Sequence, residues 1–258
     1  MQYALISDIH ANLPALEAVL RDIDRRLVNA IYHLGDLTGY APWPNEVVAL
    51  LRERQIPGIA GNYDSTVATD YKHCGCRADT PYEEELSRVS YEWTRQHVTA
   101  ETKSYLAALP FRVDIRPLGG HLSGPSIVLL HGNHTLNTVY VTEDRSDEFL
   151  EKMARGVSAS SGHAVCFGHT HKPWQRVVNG VRFVNAGSVG RPKDGDPRAC
   201  YVLLSAVDSG ITAEFIRVEY DVELVAREIV TVGLPAEFAT VVRTGGSSPI
   251  PSTSAGTH

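Results

Sequence analysis

Residues 3–10 read YALISDIH. Tyr3 to Ser7 suit a buried β-strand, and the strand closes on Ser7-Asp8-Ile9-His10. Asp8 and His10 are two positions apart, so at a strand end they share a face and can reach one ion. The same arrangement, an apolar run that stops on polar residues, recurs along the chain. Ala30 to Leu34 runs into Gly35-Asp36, and Ile56 to Ala60 into Gly61-Asn62-Tyr63-Asp64. Ile127 to Leu130 runs into His131-Gly132-Asn133-His134, and Ala164 to Phe167 into Gly168-His169-Thr170-His171. Between the first three runs lie two helical patterns. One has Asn12 as N-cap and Leu16, Val19, Leu20, Ile23 and Leu27 on one face; the other covers Pro44 to Arg54. Such βαβαβ alternation implies a parallel sheet flanked by helices, whose strand C-termini are where ligands bind.

Residues 66 to 108 read as a helical insertion, with helices over 83–97 and 99–108 after a loop at 73–80. Beyond Pro110 the pattern turns to strands at 111–115, 127–130, 164–167, 174–178, 181–184, 200–205 and 211–218. Asn179-Gly180 is a type I′ hairpin signal. Helices are expected over 147–154 and 222–230. We expect one domain over 1–232 and a flexible tail over 244–258, which is rich in Gly, Ser and Pro.

The chain has 258 residues, 43% of them hydrophobic, enough for one full α/β core. Its formal net charge of −6 argues against a sequence-independent nucleic-acid binder. It does not exclude phosphate chemistry, since bound cations supply positive charge locally. The N-terminus lacks a signal-peptide pattern and no apolar run reaches membrane length, so a soluble cytoplasmic protein is expected. The four cysteines, Cys74, Cys76, Cys166 and Cys200, are too few and scattered for a disulfide framework.

Asp8, His10, Asp36, Asn62, His131, His169 and His171 form a mixed oxygen and nitrogen set of the kind Mn, Fe and Zn accept. Singly, each is an ordinary turn former, cap or structural histidine. Five such pieces, each closing an apolar strand, are hard to explain as independent turns. Glycines 35, 61, 132 and 168 would let the backbone turn tightly and approach an ion.

With these motifs in this order, Asp8-x-His10, Gly35-Asp36, Gly61-Asn62-x-Asp64, His131-Gly132 and Gly168-His169-Thr170-His171, the sequence resembles the calcineurin-like metallophosphoesterases. The stretches YHLGDLTGYAPWPNEVV and NAGSVGRPKDGDPRACYVLL resemble the family's small bacterial and archaeal phosphodiesterase branch. The resemblance implies a four-layer α/β/β/α sandwich of two mixed β-sheets flanked by helices. It implies that Asp8, His10 and His171 hold one divalent ion, that Asn62, His131 and His169 hold a second, and that Asp36 bridges them. It also implies in-line attack on phosphorus by a hydroxide bridging the two ions, which such sites hold about 3.5–4 Å apart.

One position departs from the family. Many members have His where this chain has Tyr63, and that His serves the leaving oxygen. A phenol with pKa about 10 can donate a hydrogen bond but shuttles protons poorly. Tyr63 is therefore expected to shape the substrate face, with His134 as an alternative donor and Asp64 orienting a neighbour of the metals. Other residues carry plainer readings: Asn12 as a helix cap and His33 as a core histidine, while Arg191 and Lys193 could face substrate but are more commonly solvated loop charges. Trp43, Trp93 and Trp174 read as packing residues. His73-Cys74-Gly75-Cys76 lacks the spacing of a zinc site.

The expected function is a dinuclear metal-dependent phosphoesterase, a phosphodiesterase or phosphatase. It would use Mn²⁺, Fe²⁺/Fe³⁺ or Zn²⁺ on a small phosphodiester or phosphomonoester. The alternatives are a non-catalytic metal-binding protein-interaction scaffold of the same fold, or a nuclease or nucleotide hydrolase. The acidic balance disfavours nucleic acid as a partner, and no membrane partner is expected. The insertion could cap the site or join subunits of a homo-oligomer.

Overall fold

Alternate residues of the first strand, β1 (Gln2–Ile6), face different layers, as the two-residue period of a strand dictates. Ala4 and Ile6 pack on Leu16, Val19 and Ile23 of helix α1 (Leu13–Asp24) and on Val47, Val48 and Leu51 of α2 (Pro44–Glu53). Tyr3 and Leu5 face the other way, against strands β4 (Ile127–Leu129) and β5 (Ala164–Phe167). Strand β8 (Ala199–Val207) repeats the division, Tyr201 and Leu203 on the helix side and Val202 and Leu204 between the sheets. In β5, Ala164 and Cys166 point to the first sheet, while Val165 and Phe167 pack with Leu150 and Met153 of α6 (Asp147–Gly156). Strands buried on both faces need apolar residues at every position, which is why these runs show no polar alternation. The result is four layers: helices, sheet, sheet, helix. This computed structural model describes residues 1–116, 125–207 and 210–247.

Both sheets are mixed. In the first, β2 (Ala30–His33), β1, β8 and β9 (Gly210–Val218) lie in that order. Only β1 and β2 are parallel there; β8 and β9 return antiparallel. In the second, β3 (Val113–Ile115), β4, β5, β7 (Val181–Asn185) and β6 (Trp174–Val178) lie in order, with β4, β5 and β7 parallel and antiparallel edges. The two mixed sheets flanked by helices are those the family resemblance implied, and the parallel βαβ pairing read from the first half is that of β1 with β2. Between β6 and β7, Asn179 and Gly180 both have positive φ, 48° and 77°, as a type I′ turn requires.

Two segments of the first half differ from the reading of the sequence. Ile56 to Ala60 is not a strand: it touches β2 by a single parallel bridge at Gly58. Pro57 has no N–H to extend a ladder, and the Ala60 N–H goes instead to the carbonyl of Pro110. Helix α1 stops at Asp24, and Leu27 is 92% exposed rather than on the buried face. Its φ of 49° turns the chain out of the helix.

The Gly61-Asn62-Tyr63-Asp64 segment opens helix α3 (Asn62–Ala68). After it come α4 (Pro81–His97) and α5 (Ala100–Ala108), capped by the Thr80 and Thr99 hydroxyls, which accept from the N–H groups of Glu83 and Thr102. Near the C-terminus, α7 (Val222–Thr231) is joined by α8 (Ala236–Thr244), which the sequence pattern did not reveal. They share a cluster around Val225, Ile229, Phe238 and Val242. The Gly245 carbonyl accepts the Gly195 N–H at 2.9 Å, so the first residues after α8 are tied down. The rest of the expected flexible tail, 248–258, lies outside the described residues. No helix among the described residues is long and apolar enough to cross a membrane.

Candidate metal centre

The polar strand ends meet. Asp8 donates its N–H to the Gly35 carbonyl at 3.0 Å, and its Oδ2 accepts the His169 N–H at 3.0 Å. These contacts join the ends of β1, β2 and β5. The approach leaves no room for side chains: a Cβ on Gly35 would lie 2.2 Å from Gly61 N, and one on Gly168 2.0 Å from Ser7 Oγ. The glycines thus permit contact between neighbouring motifs, where the sequence suggested approach to an ion.

All seven expected ligands come together, and none is more than 4% exposed. Five of them, Asp8, His10, Asp36, His169 and His171, have φ between 47° and 68°. Residues other than Gly are uncommon in that conformation, Asp and His less so than most, and five in one cluster is the kind of local strain that collects at functional sites.

Asp8, His10 and His171 form one group. Asp8 Oδ1 lies 3.3 Å from His171 Nε2 and 3.9 Å from His10 Nε2. Each imidazole is fixed from behind: His10 Nδ1 is 2.9 Å from the Thr38 carbonyl and His171 Nδ1 is 2.6 Å from the Arg191 carbonyl. A carbonyl only accepts, so both Nδ1 atoms carry the proton and both Nε2 atoms offer lone pairs. Burial, then the neighbouring imidazole, pushes His10 down to about 3, and burial holds His171 well below its ordinary value. Two neutral rings therefore aim lone pairs at each other across 3.1 Å. That contact repels unless a cation sits between them.

Asp36, His131 and His169 form the other group. His131 Nδ1 is 2.7 Å from the Leu34 carbonyl, and its Nε2 lies 3.0 Å from Asn62 Oδ1 and 3.4 Å from Asp36 Oδ2. Asn62 donates its Nδ2 to the Cys74 carbonyl at 3.0 Å, which turns its oxygen toward the group. Burial works against the charge on His131, but Asp36 outweighs it and raises the imidazole to about 10. For Asp36, burial is likewise outweighed by His131, and its carboxyl falls below the usual range. His169 is pushed down to about 3 by burial and then by His131. Asp36 Oδ2 is also 3.7 Å from His10 Nε2, so this carboxylate stands between the groups.

The donors fit a pair of divalent ions. Each group gathers three ligand atoms within 4.8 Å of one another. Asp8 Oδ1 and His169 Nε2 are buried without a hydrogen-bond partner, an arrangement that costs free energy unless something binds there.

The remaining expected residues divide. Asp64 is buried and accepts N–H bonds from Asp36 at 2.8 Å, Leu37 at 2.9 Å and Gly61 at 2.9 Å. It positions the Asp36 loop and the start of α3. Burial, then the charge of Asp36, raises its carboxyl to about 7, against the pull of those backbone bonds. Tyr63 is fully buried, and its hydroxyl pairs with Ser90 Oγ of α4 at 2.8 Å. It backs His10 and Tyr40 rather than forming a substrate face. His134 is not brought to the cluster: Asn133 Oδ1 accepts the N–H groups of Thr135 and Leu136, and this turn lays the His134 ring against Gly156 of α6.

Asn12 caps α1 and also donates to the Gly190 carbonyl at 2.9 Å. Arg191 is only 8% exposed, which corrects its reading as a solvated charge. His33 is buried with Nε2 3.3 Å from the Tyr105 hydroxyl. Cys74 and Cys76 form a disulfide across Gly75, a local bridge that the sequence did not suggest, while Cys166 and Cys200 are free and buried. Residues missed earlier are Ser7, which donates to Asp8 Oδ2 at 2.6 Å, and Tyr140, whose ring stands 4.0 Å from His169. Ser7 opens the first strand-ending motif but has no metal-ligand chemistry of its own, and Tyr140 lies outside the motifs, so only proximity reveals their roles.

The profile of the calcineurin-like phosphoesterase superfamily domain matches residues 1–209. The chain is 30% identical over 249 residues to the uncharacterized protein MJ0912 of Methanocaldococcus jannaschii, covering 90% of this chain and 93% of that one. It is similar in structure to a metallophosphoesterase from Sphaerobacter thermophilus, with TM-score 0.74, 29% identity, and coverage of 95% and 99% of the two chains. A hypothetical protein, PH1004, from Pyrococcus horikoshii shares the fold, with TM-score 0.80, 22% identity, and coverage of 96% and 99%.

Proposed function

The chain belongs to the calcineurin-like phosphoesterase superfamily, and from that premise we propose that it is a dinuclear metal-dependent hydrolase of a small phosphodiester or phosphomonoester. The observation that carries this reading is the facing pair of Nε2 atoms of His10 and His171 at 3.1 Å, with Asp8 and Asp36 beside them. Asp8, His10 and His171 would hold one ion, and Asn62, His131 and His169 the other, with Asp36 shared. The chemistry that a pair of divalent ions would supply there is ionisation of a water near neutral pH and neutralisation of the phosphoryl oxygens.

The protein's own share is to hold and orient. Thr38, Leu34 and Arg191 carbonyls set the ring directions of His10, His131 and His171. Asp64 holds the Asp36 loop through three N–H bonds. The substrate reaches the cluster past Tyr40 and Tyr140, whose rings touch His10 and His169. No buried Ser or Cys is needed as a nucleophile. Because Tyr63 spends its hydroxyl on Ser90, no side chain at that position delivers a proton to the leaving oxygen. Esters whose leaving group departs as a stable anion should therefore react fastest.

The test is hydrolysis of bis-p-nitrophenyl phosphate by protein supplied with Mn²⁺, Fe²⁺ or Zn²⁺, with and without chelator. Chelator-sensitive turnover is expected. No turnover on this or any other phosphoester would favour the non-catalytic scaffold. An aryl phosphodiester should outpace the matching alkyl one at saturation, and equal rates would show that a proton donor has been overlooked.

A further inference from the structure

A cavity of about 500 Å³ opens beside the metal-ligand histidines. Tyr40, Tyr140 and Thr170 line it, and they adjoin His10, His169 and His171. Its charges do not balance. Arg77 is paired with Asp79 at the exposed rim. That leaves Lys172 and Arg191 against Glu83, beside Lys193, whose ammonium is pushed down by burial and by the Arg191 charge.

Arg191 is the residue that needs explaining. It is buried, its Nε has no hydrogen-bond partner, and among the described residues its guanidinium has no carboxylate within ion-pair distance. What it does have is aromatic. The guanidinium carbon lies 3.9 Å over the Tyr40 ring and 6.0 Å from that of Phe238. Cation–π contact offsets part of the cost of burying a guanidinium, but it fills none of the five N–H donors. Buried charges in proteins are ordinarily paired. The backbone of this residue is anchored to the metal-ligand loops: its N–H goes to Ser188 Oγ at 2.8 Å, Ser188 donates to the Asp8 carbonyl at 2.7 Å, and the Arg191 carbonyl faces His171 Nδ1. The guanidinium is thus held at a set place relative to the cluster, with its donors turned to a cavity.

We propose that Arg191 binds a second anionic group of the substrate, a phosphate or carboxylate other than the one attacked. The substrate is then a phosphoester with two anionic ends, one on the metal side and one on the Arg191 wall, where the planar guanidinium can donate to two oxygens side by side. Simple monoanionic diesters would bind through the metal side alone. The inference rests on the phosphoesterase reading for the word substrate, but its binding test does not.

The experiment is calorimetric titration of the Mn²⁺-supplied protein with phosphonates. Alkylphosphonates are compared with α,ω-bisphosphonates and ω-carboxyalkylphosphonates having one to four methylenes. The best two-anion ligand should bind at least tenfold more tightly than the alkylphosphonate of equal length. In Arg191→Gln that advantage should shrink below threefold, and Arg191→Lys should restore part of it. The backbone carbonyl that orients His171 is untouched by either change. Removing an unpaired buried charge should leave Tm unchanged or higher, whereas a guanidinium with a purely structural role would lower it on loss.

The proposal is overturned if no two-anion ligand gains affinity, or if the gain survives in Arg191→Gln. Turnover of bis-p-nitrophenyl phosphate without any such gain would sink this inference and leave the phosphoesterase reading standing. A gain lost in Arg191→Gln, with no turnover of any ester, would do the reverse. Whether the bisphosphonate or the carboxylate series binds better separates a second phosphate from a carboxylate.

Discussion

The two ligand groups solve the problem of burial differently. Around Asp36, the buried charges can satisfy one another: a protonated His131 stands 3.4 Å from the carboxylate and 3.0 Å from Asn62 Oδ1. Around Asp8, the two imidazoles have their Nδ1 protons committed to carbonyls and their Nε2 lone pairs opposed at 3.1 Å. One group can exchange a proton for a cation. The other has opposed lone pairs to relieve, beside an Asp8 carboxyl that burial raises. Sites of equal ligand count therefore differ in what binding an ion does to them, and the difference follows from which influence wins at the imidazole beside the carboxylate: Asp36 outweighs burial at His131, while burial and the charges of Lys193 and Arg191 prevail at His171.

The largest effect should come from the residue the groups share. Asp36→Asn removes the carboxylate between them, and we expect at least a 10³-fold loss of turnover with loss of both ions by elemental analysis. Retention of one full equivalent of metal would show that the groups are independent after all.

The next test separates the groups by stability in chelated protein. His131→Gln strands the buried charge of Asp36 and should cost about 3 kcal/mol, since breaking a buried pair leaves an uncompensated charge. His171→Gln removes one of two opposed lone pairs and should cost much less or stabilise. Denaturant unfolding of both variants reads the contrast, and equal losses would erase it.

A third prediction concerns pH. The folded pKa of His131 is raised to about 10. Its contribution in chelated protein is therefore complete below its unfolded value near 6.5 and is lost as pH rises toward 10. His10 and His169 are depressed to about 3. Their contribution is present above about 6.5 and is lost as pH falls. Melting temperature should decline on both sides of neutrality, and His131→Gln should remove the alkaline decline only. Metal binding should release about one proton, from the Asp36 group, measurable by calorimetry in buffers of different ionisation enthalpy.

The smallest effect lies outside both groups. Ser90 takes the Tyr63 hydroxyl at 2.8 Å and the Tyr40 N–H at 3.0 Å, linking α4 to the aromatic wall beside His10. Ser90→Ala should cost about 2 kcal/mol, since it removes the partner of two bonds and leaves the buried Tyr63 hydroxyl unpaired. Turnover should fall only a few-fold, with the loss falling on the Asp8 side through His10. A loss comparable to that of Asp36→Asn would mean that Tyr63 does more than support.

Much of this was legible in the residues alone. Apolar runs buried on both faces announce themselves by composition, and the polar residues that stop them are visible because strands end where their hydrophobicity ends. That is how Asp8, His10, Asp36, Asn62, His131, His169 and His171 could all be named before their positions were known. Ile56 to Ala60 misled because a short apolar run next to Pro57 has strand composition without the N–H groups to pair. His134 misled because nearness in sequence to His131 says nothing about a turn made by Asn133. Arg191 was misread for the same reason: a charge in a loop is ordinarily solvated, and only the rings of Tyr40 and Phe238 and the anchored backbone make this one buried.

By itself the sequence determined most of the strands and helices, the donor types, and the place of most donors at strand ends, since local periodicity and chain order carry that information. Only the tertiary structure decided which nitrogen of each imidazole faces inward, which carboxylate stands between the groups, and which way Tyr63, His134 and Arg191 point. Those depend on carbonyls and rings brought close from segments up to 180 residues apart, and contacts over such distances leave no local trace in the chain.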